Sequence, residues 1–174
     1  MFNYERKTQS GRSMIEMPGV LAIVGVLSAG GIAGYSMVMQ TYKIQAFIEK
    51  VNLMVMQARK AYRGVYGNGS ENVTLALVDA GKIPDRKNPF GGEFVDGGSG
   101  DPYRFDFYTY EANIPPEACV DIVTTDWGGP AMIYAITLGP TNGNEDGFFS
   151  FPVDAADAIN ACKGGNKKMI FYFK

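Results

Sequence analysis

Glu16 is the residue whose setting first suggests chemistry. It stands directly ahead of residues 17–41, which carry no charged side chain. A carboxylate held in lipid costs ~2.5 kcal/mol or more, so an acid at the mouth of such a run is by default functional. Two readings stay open on charge placement alone. Glu16 is either a functional intramembrane acid or lies in the headgroup layer and simply snorkels.

Little else in the composition points to catalysis or metal binding. The chain has no histidine, which removes the commonest general base and the commonest transition-metal ligand. Serines, threonines and carboxylates lack any accompanying base motif, so the chain is read as a non-enzyme without a cofactor. Its formal net charge of -2 gives no field that would favour nucleic acid. Residues 142–147, Asn-Gly-Asn-Glu-Asp-Gly, space oxygen side chains like the start of a calcium loop. The twelfth position is Val153 rather than glutamate, so a plain turn is expected and no metal is assigned. Asp96 and Asp101 around GGSG read as another turn, and Asn72-Val73-Thr74 is a weak match to a glycosylation sequon. Trp127, with Tyr103, Phe105, Phe107 and Tyr110, could line a groove, but core packing is the better expectation. The two cysteines, Cys119 and Cys162, lack CxxC spacing. They are either buried thiols or, in an oxidising extracytoplasmic compartment, a disulfide.

These residues need elements to position them. Residues 1–12 are polar and include Arg6, Lys7 and Arg12. The uncharged run exceeds the roughly 20 residues that cross a bilayer core as a helix. Its basic N-terminal flank argues for a cytoplasmic N-terminus and an exported remainder. A cleaved secretory signal would have an apolar region of only ~7–15 residues, and this run continues into further helical periodicity. Tyr42, Ile44, Phe47, Ile48, Val51, Met54, Val55, Ala58 and Tyr62 recur mostly at three- and four-residue spacing. One helix is therefore expected from about Ser13 to about Tyr66, ended by GNGS at 67–70. Pro18 is expected to kink its start or delay it. Gly30 and Gly34 form a GxxxG spacing that lets helices approach closely, beside the ordinary tolerance of glycine in membrane helices.

Beyond residue 66 the chain reads as a small α+β head over 67–174. A short helix spans 70–81, closed by Gly81, and a turn-rich loop follows with Phe94 and Val95 as its only strand nucleus. Residues 103–110 alternate with aromatic side chains and read as a strand. A helix over 115–125, a strand over 131–138, a helix over 154–162 and a strand over 169–173 complete the head. The expected fold is an antiparallel sheet packed on the amphipathic half of the long helix.

Gly11-Arg12-Ser13-Met14-Ile15-Glu16 followed by an apolar run resembles the type IV prepilin processing site, a glycine before the cut and a glutamate as the fifth residue after it. The resemblance implies a leader over 1–11, a cut between Gly11 and Arg12 by a prepilin peptidase, and methylation of the new N-terminus. It also implies a membrane and assembly half over 12–41 and an amphipathic half over 42–66. Glu16 would pair with the α-amino group of Arg12 on a neighbouring subunit and so set register. Arg12 stands where the family usually has a hydrophobic residue, and Pro18 where it has a good helix former. The head resembles the family too: many members have a C-terminal region bounded by a disulfide, which Cys119 and Cys162 would enclose. IPDRKNPFGG at 83–92 and NIPPEAC at 113–119 are similar to phrases of type IVb, PilS-like pilins.

The function implied is a structural subunit of a type IV pilus or related filament serving adhesion, motility, conjugation or secretion. Its partners would be prepilin peptidase, other subunits of its kind, the inner-membrane assembly machinery and the membrane itself. It would reside in the inner membrane before assembly and in an extracellular pilus afterwards. The alternatives are a membrane-tethered adhesin or ligand-binding module with an uncleaved anchor, and a type II secretion pseudopilin.

Overall fold

A computed structural model describes residues 13–62, 73–96, 105–110, 112–127, 133–140, 147–164 and 167–173; for a few of these, Ser13, Met14, Ile15 and Glu16 among them, it describes the backbone alone. The chain divides into two units, one up to Gln40 and the other Thr41–Lys174. Helix α1, Ser13–Tyr62, begins in the first and continues in the second.

From Met17 to Gln40 α1 carries no charged side chain, and its side chains from Met17 to Val38 are exposed. By length and composition this part can cross a membrane. The helix is already formed at Ser13 and passes through Pro18. The expected delay does not occur: residues 13–17, ahead of the proline, are already helical. Inside the helix, the Pro18 ring removes the hydrogen bond to the Met14 carbonyl and crowds that carbonyl.

In the second unit the order after α1 is α2 (Val73–Asp79), β1 (Glu93–Asp96), β2 (Phe105–Tyr110), α3 (Pro116–Val123), β3 (Ile133–Pro140), β4 (Gly147–Ser150), α4 (Ala155–Ala161) and β5 (Lys167–Phe173). The five strands form one antiparallel sheet in the order β1-β2-β5-β3-β4, so the last strand of the chain lies at its centre. This is the expected α+β architecture. Alternation along β5 sends Met169, Phe171 and Phe173 into the main core, while Ile170 and Tyr172 join Ala135 in a second cluster. Ile44, Phe47, Val51, Met54, Val55 and Ala58 of α1 are buried in the same main core. Tyr42, expected on that stripe, is 65% exposed. Tyr42, Glu49 and Met56 recur every seven residues and share the outward face, opposite the core stripe.

Caps define the shorter elements. Asp154 accepts a hydrogen bond from the Ala156 N–H at 2.8 Å and starts α4. Pro116 opens α3, where the absent N–H is harmless. Gly81 closes α2 with φ +64, a conformation that favours glycine. Strand β4 was not expected from the sequence. The turn expected over 142–147, the GNGS stop at 67–70 and the sequon Asn72 lie outside the described residues, apart from Gly147, which opens β4.

Candidate assembly surface

The apolar half of α1 presents exposed Leu, Val, Ile and Met side chains from Met17 to Val38. Within it, a Cβ added at Gly30 or Gly34 would meet nothing within 4 Å, so this face is open along its glycines. Small residues on an open apolar helix permit close approach of another helix. Glu16 lies in the first turn of α1 by its backbone. A carboxylate there is favoured by the unpaired N–H groups and the positive end of the helix. Its side chain, and the expected cleavage residues Gly11 and Arg12, lie outside the described residues.

The second half of α1 is anchored by rings and ions. Phe47, fully buried, meets Phe94 at 5.3 Å, Phe171 at 5.9 Å and Phe90 at 6.0 Å between centroids. Phe90 is delivered by the turn 88–92: the Asn88 side chain accepts from the Phe90 N–H at 2.9 Å, and the Asn88 carbonyl accepts from the Gly91 N–H at 2.9 Å. Gly91 and Gly92 take φ of +92 and +69, so this loop needs its glycine pair. Lys50 donates to and pairs with Asp85. The Lys50 hydrogen bond holds the Asp85 carboxyl below its ordinary value, aided by the Lys87 N–H and opposed by desolvation.

The same loop closes one edge of the sheet. The Phe94 N–H donates to the Arg86 carbonyl at 2.8 Å, and the Arg86 guanidinium pairs with Glu93 at 2.9 Å. The outer edge of β1 is thereby occupied. Asp96, at the end of β1, accepts from the Thr74 N–H at 3.2 Å and the Thr74 hydroxyl at 3.0 Å. Burial pushes the Asp96 carboxyl above its ordinary value, against the pull of those Thr74 hydrogen bonds and of Arg86.

Cys119 of α3 and Cys162, the residue after α4, form a disulfide with Cα atoms 5.8 Å apart. Both are buried, and the bond ties the two helices into one lobe. Trp127 follows α3 and is 2% exposed; its Nε1–H donates to the Ile122 carbonyl at 3.1 Å and its ring meets Phe171 edge-on at 5.3 Å. Trp127 is thus a core residue, as is Phe107. A cavity of about 320 Å³ lies beside it, lined by Thr124, Thr125, Asp126, Ile133, Phe151 and Pro152. The Thr124 and Thr125 hydroxyls already donate to backbone carbonyls. Among the described residues no cluster of His, Cys, Asp or Glu could hold a metal ion.

No protein-family model matches the chain. It is similar to the major structural subunit of bundle-forming pilus from Escherichia coli O111:H- and to the protein of the same description from Escherichia coli O127:H6 (strain E2348/69 / EPEC). Each is 27% identical over 190 aligned positions, covering 97% of this chain and 96% of the relative. Both relatives are structural subunits, a non-enzymatic role. The similarity runs nearly end to end, over a chain that joins an exposed apolar N-terminal helix to an α+β unit.

Proposed function

We propose that the chain is a structural subunit of a type IV pilus, of the type IVb, PilS-like kind. It is made as a precursor, cut between Gly11 and Arg12 by a prepilin peptidase, and assembled with copies of itself through the apolar half of α1. The observation that carries the proposal is the near-full-length similarity to pilus subunits in a chain whose helix leaves residues 17–38 bare. Exposing that much apolar side chain to water is strongly unfavourable, so the segment is made for lipid first and for neighbouring helices afterwards. Gly30 and Gly34 let those helices come close. Glu16 pairs with the α-amino group of Arg12 on a neighbour, because a carboxylate in an apolar bundle needs a cation. A subunit out of register leaves that charge unpaired, so the pair fixes position more than it adds stability.

The inner membrane holds the subunit before assembly, and the extracellular pilus holds it afterwards. Mass spectrometry of the subunit recovered from cell-surface filaments tests the reading. A mature N-terminus at Arg12 is the expected result. A subunit that keeps residues 1–11, or one cut beyond Ser28 so that the apolar helix is lost, would refute it.

A further inference from the structure

In the second unit the exposed charges of α3 and α4 are acidic, while those of the turn after α2 are mainly basic, with exposed Asp79 just ahead of it. On α3, Glu117 and Asp121 are exposed one turn apart; on α4, Asp157 and the cap residue Asp154 are exposed as well. The Cys119–Cys162 bond holds the two helices side by side. Within residues 112–127 and 147–164 the only cation is Lys163, whose Nζ donates to Asn160 at 2.9 Å. Among the described residues no ion pair reaches Glu117, Asp121, Asp154 or Asp157.

A second face carries the complement. In the turn after α2, Asp85 is taken by Lys50, and Glu93 is taken by Arg86. Exposed Lys82 and Lys87 form no ion pair among the described residues. Lys43 lies two helical turns before Lys50 on the same flank of α1 and is exposed too. Glu49 is on the outward face with Tyr42 and Met56, away from this flank.

Helix α1 runs between the two faces. Its Ile44 and Ile48 side borders α3 across a cavity of about 290 Å³ that Asp121 and Thr124 also line. Its Lys43 and Lys50 side borders the turn that holds Asp85. One copy cannot bring the faces together, since the helix separates them. Two copies can.

We propose that the acidic α3–α4 face of one subunit docks on the Lys43, Lys82 and Lys87 face of another copy. This rests on the filament reading and names a head contact within it. The contact joins two different surfaces, so it does not close on itself as a two-fold dimer does. Repeated, it generates an open helical array. The charges are exposed, so they act on encounter and orientation more than on raw affinity, over the ~8 Å screening length of physiological salt.

The test uses the full chain in its own host. Two reversals are made, Asp121→Lys with Asp157→Lys, and Lys82→Glu with Lys87→Glu. Sheared filament yield is read against the amount of disulfide-bonded subunit in the membrane. Each reversal is expected to lower the yield about tenfold or more at unchanged subunit level, and the combined chain to recover most of it. A milder pair, Asp121→Asn with Asp157→Asn and Lys82→Gln with Lys87→Gln, covers the case in which a reversal lowers subunit level. Here the two neutralisations together are expected to cost no more than either alone, since both remove one contact. Wild-type yield from the reversals, no recovery in the combined chain, or strictly additive neutralisations would overturn the contact. These outcomes are separate from failure of the filament reading, in which the unaltered chain itself gives no filaments.

Discussion

Asp96 at the end of β1 accepts both the N–H and the hydroxyl of Thr74, the second residue of α2, across a sequence separation of 22. A carboxylate from the sheet thus satisfies the start of a helix that has no acidic residue in its own first turn. Burial raises the Asp96 carboxyl above its ordinary value despite these bonds. The folded chain therefore holds that proton more tightly than the unfolded chain. Its contribution to stability is greatest at low pH and declines as pH rises from the ordinary value of 3.8 through the raised one. Asp96→Asn keeps an acceptor for the N–H without the buried charge. Relative to wild type, its thermal midpoint in detergent should rise between acid and neutral pH. Asp96→Ala leaves the Thr74 N–H without this acceptor and should lose ~1–3 kcal/mol at neutral pH.

Asp85 titrates with the opposite sign. Its carboxyl sits below the ordinary 3.8 because Lys50 donates to it, so the stability it adds is present above 3.8 and is lost as pH falls through the lowered value. The Asp85 side chain is 47% exposed, which screens the pair. Lys50→Met should therefore cost about 1 kcal/mol or less in urea unfolding at neutral pH, and the cost should shrink in high salt. A loss that is unchanged between low and high salt would show that the methylene stem of Lys50, and not its charge, matters there.

Phe47 is the ring that fixes α1 in the core. Three rings from two loop and strand elements and from β5 surround it within 6.0 Å. Phe47→Ala opens a cavity that a sheet and helix cannot refill, and should cost ~3–5 kcal/mol, enough to unfold many domains of this size. Tyr42→Ala and Met56→Ala remove side chains 65% and 54% exposed, and should stay within ~0.5 kcal/mol of wild type. Limited proteolysis of the three variants side by side separates these outcomes.

The Cys119–Cys162 bond closes a loop of sequence separation 43. On loop-entropy grounds such a closure contributes ~4 kcal/mol by restricting the unfolded chain. Cys119→Ala with Cys162→Ala should lower the urea midpoint accordingly while leaving the folded sheet in place. Both sulfurs are buried, so mild reductant should leave the native bond intact and cleave it only once the chain unfolds. Gel mobility with and without denaturant reads this directly.

The sequence revealed elements whose signal is local. The three- and four-residue spacing of Phe47, Val51, Met54 and Ala58 marks the buried stripe of α1 before any fold is known. The aromatic alternation of β2 and the Asp154 cap of α4 are equally self-contained. Strand β4 is different. Gly147–Ser150 is too short to show a period and follows turn-forming residues, and it is a strand because Phe149 and Phe148 pair with Ile136 and Thr137 of β3. Asp96 likewise reads as a turn residue beside GGSG, since its link to Thr74 spans too much chain for spacing to show. Tyr42 fits the apolar stripe by type, but helical geometry turns it outward with Glu49 and Met56. Glu16 stands out in the sequence because a single charge against an uncharged run is a local signal, and its proposed role rests on that signal and on the resemblance. The charge faces of the head do not stand out in it, because they depend on which flank of α1 each loop adopts.

Glu16 supplies the sharpest test of assembly by register. Substituting Glu16→Ala trades a first-turn charge worth ~0.3–1 kcal/mol for a better helix former, so the helix and the head should both stay folded. The disulfide-bonded subunit should accumulate in the membrane at wild-type level. Filament incorporation should fall by about 100-fold or more, since a charge-assisted pair in an apolar bundle is worth ~3 kcal/mol or more when one partner is lost. Glu16→Asp keeps the charge on a shorter arm and should be intermediate. Glu16→Gln separates charge from hydrogen bonding: if the α-amino group of Arg12 is the partner, the amide leaves that cation unneutralised and Gln should behave like Ala. Immunoblotting of sheared filaments against membrane fractions measures all three, and a Gln variant that assembles like wild type would show that Glu16 acts without its charge.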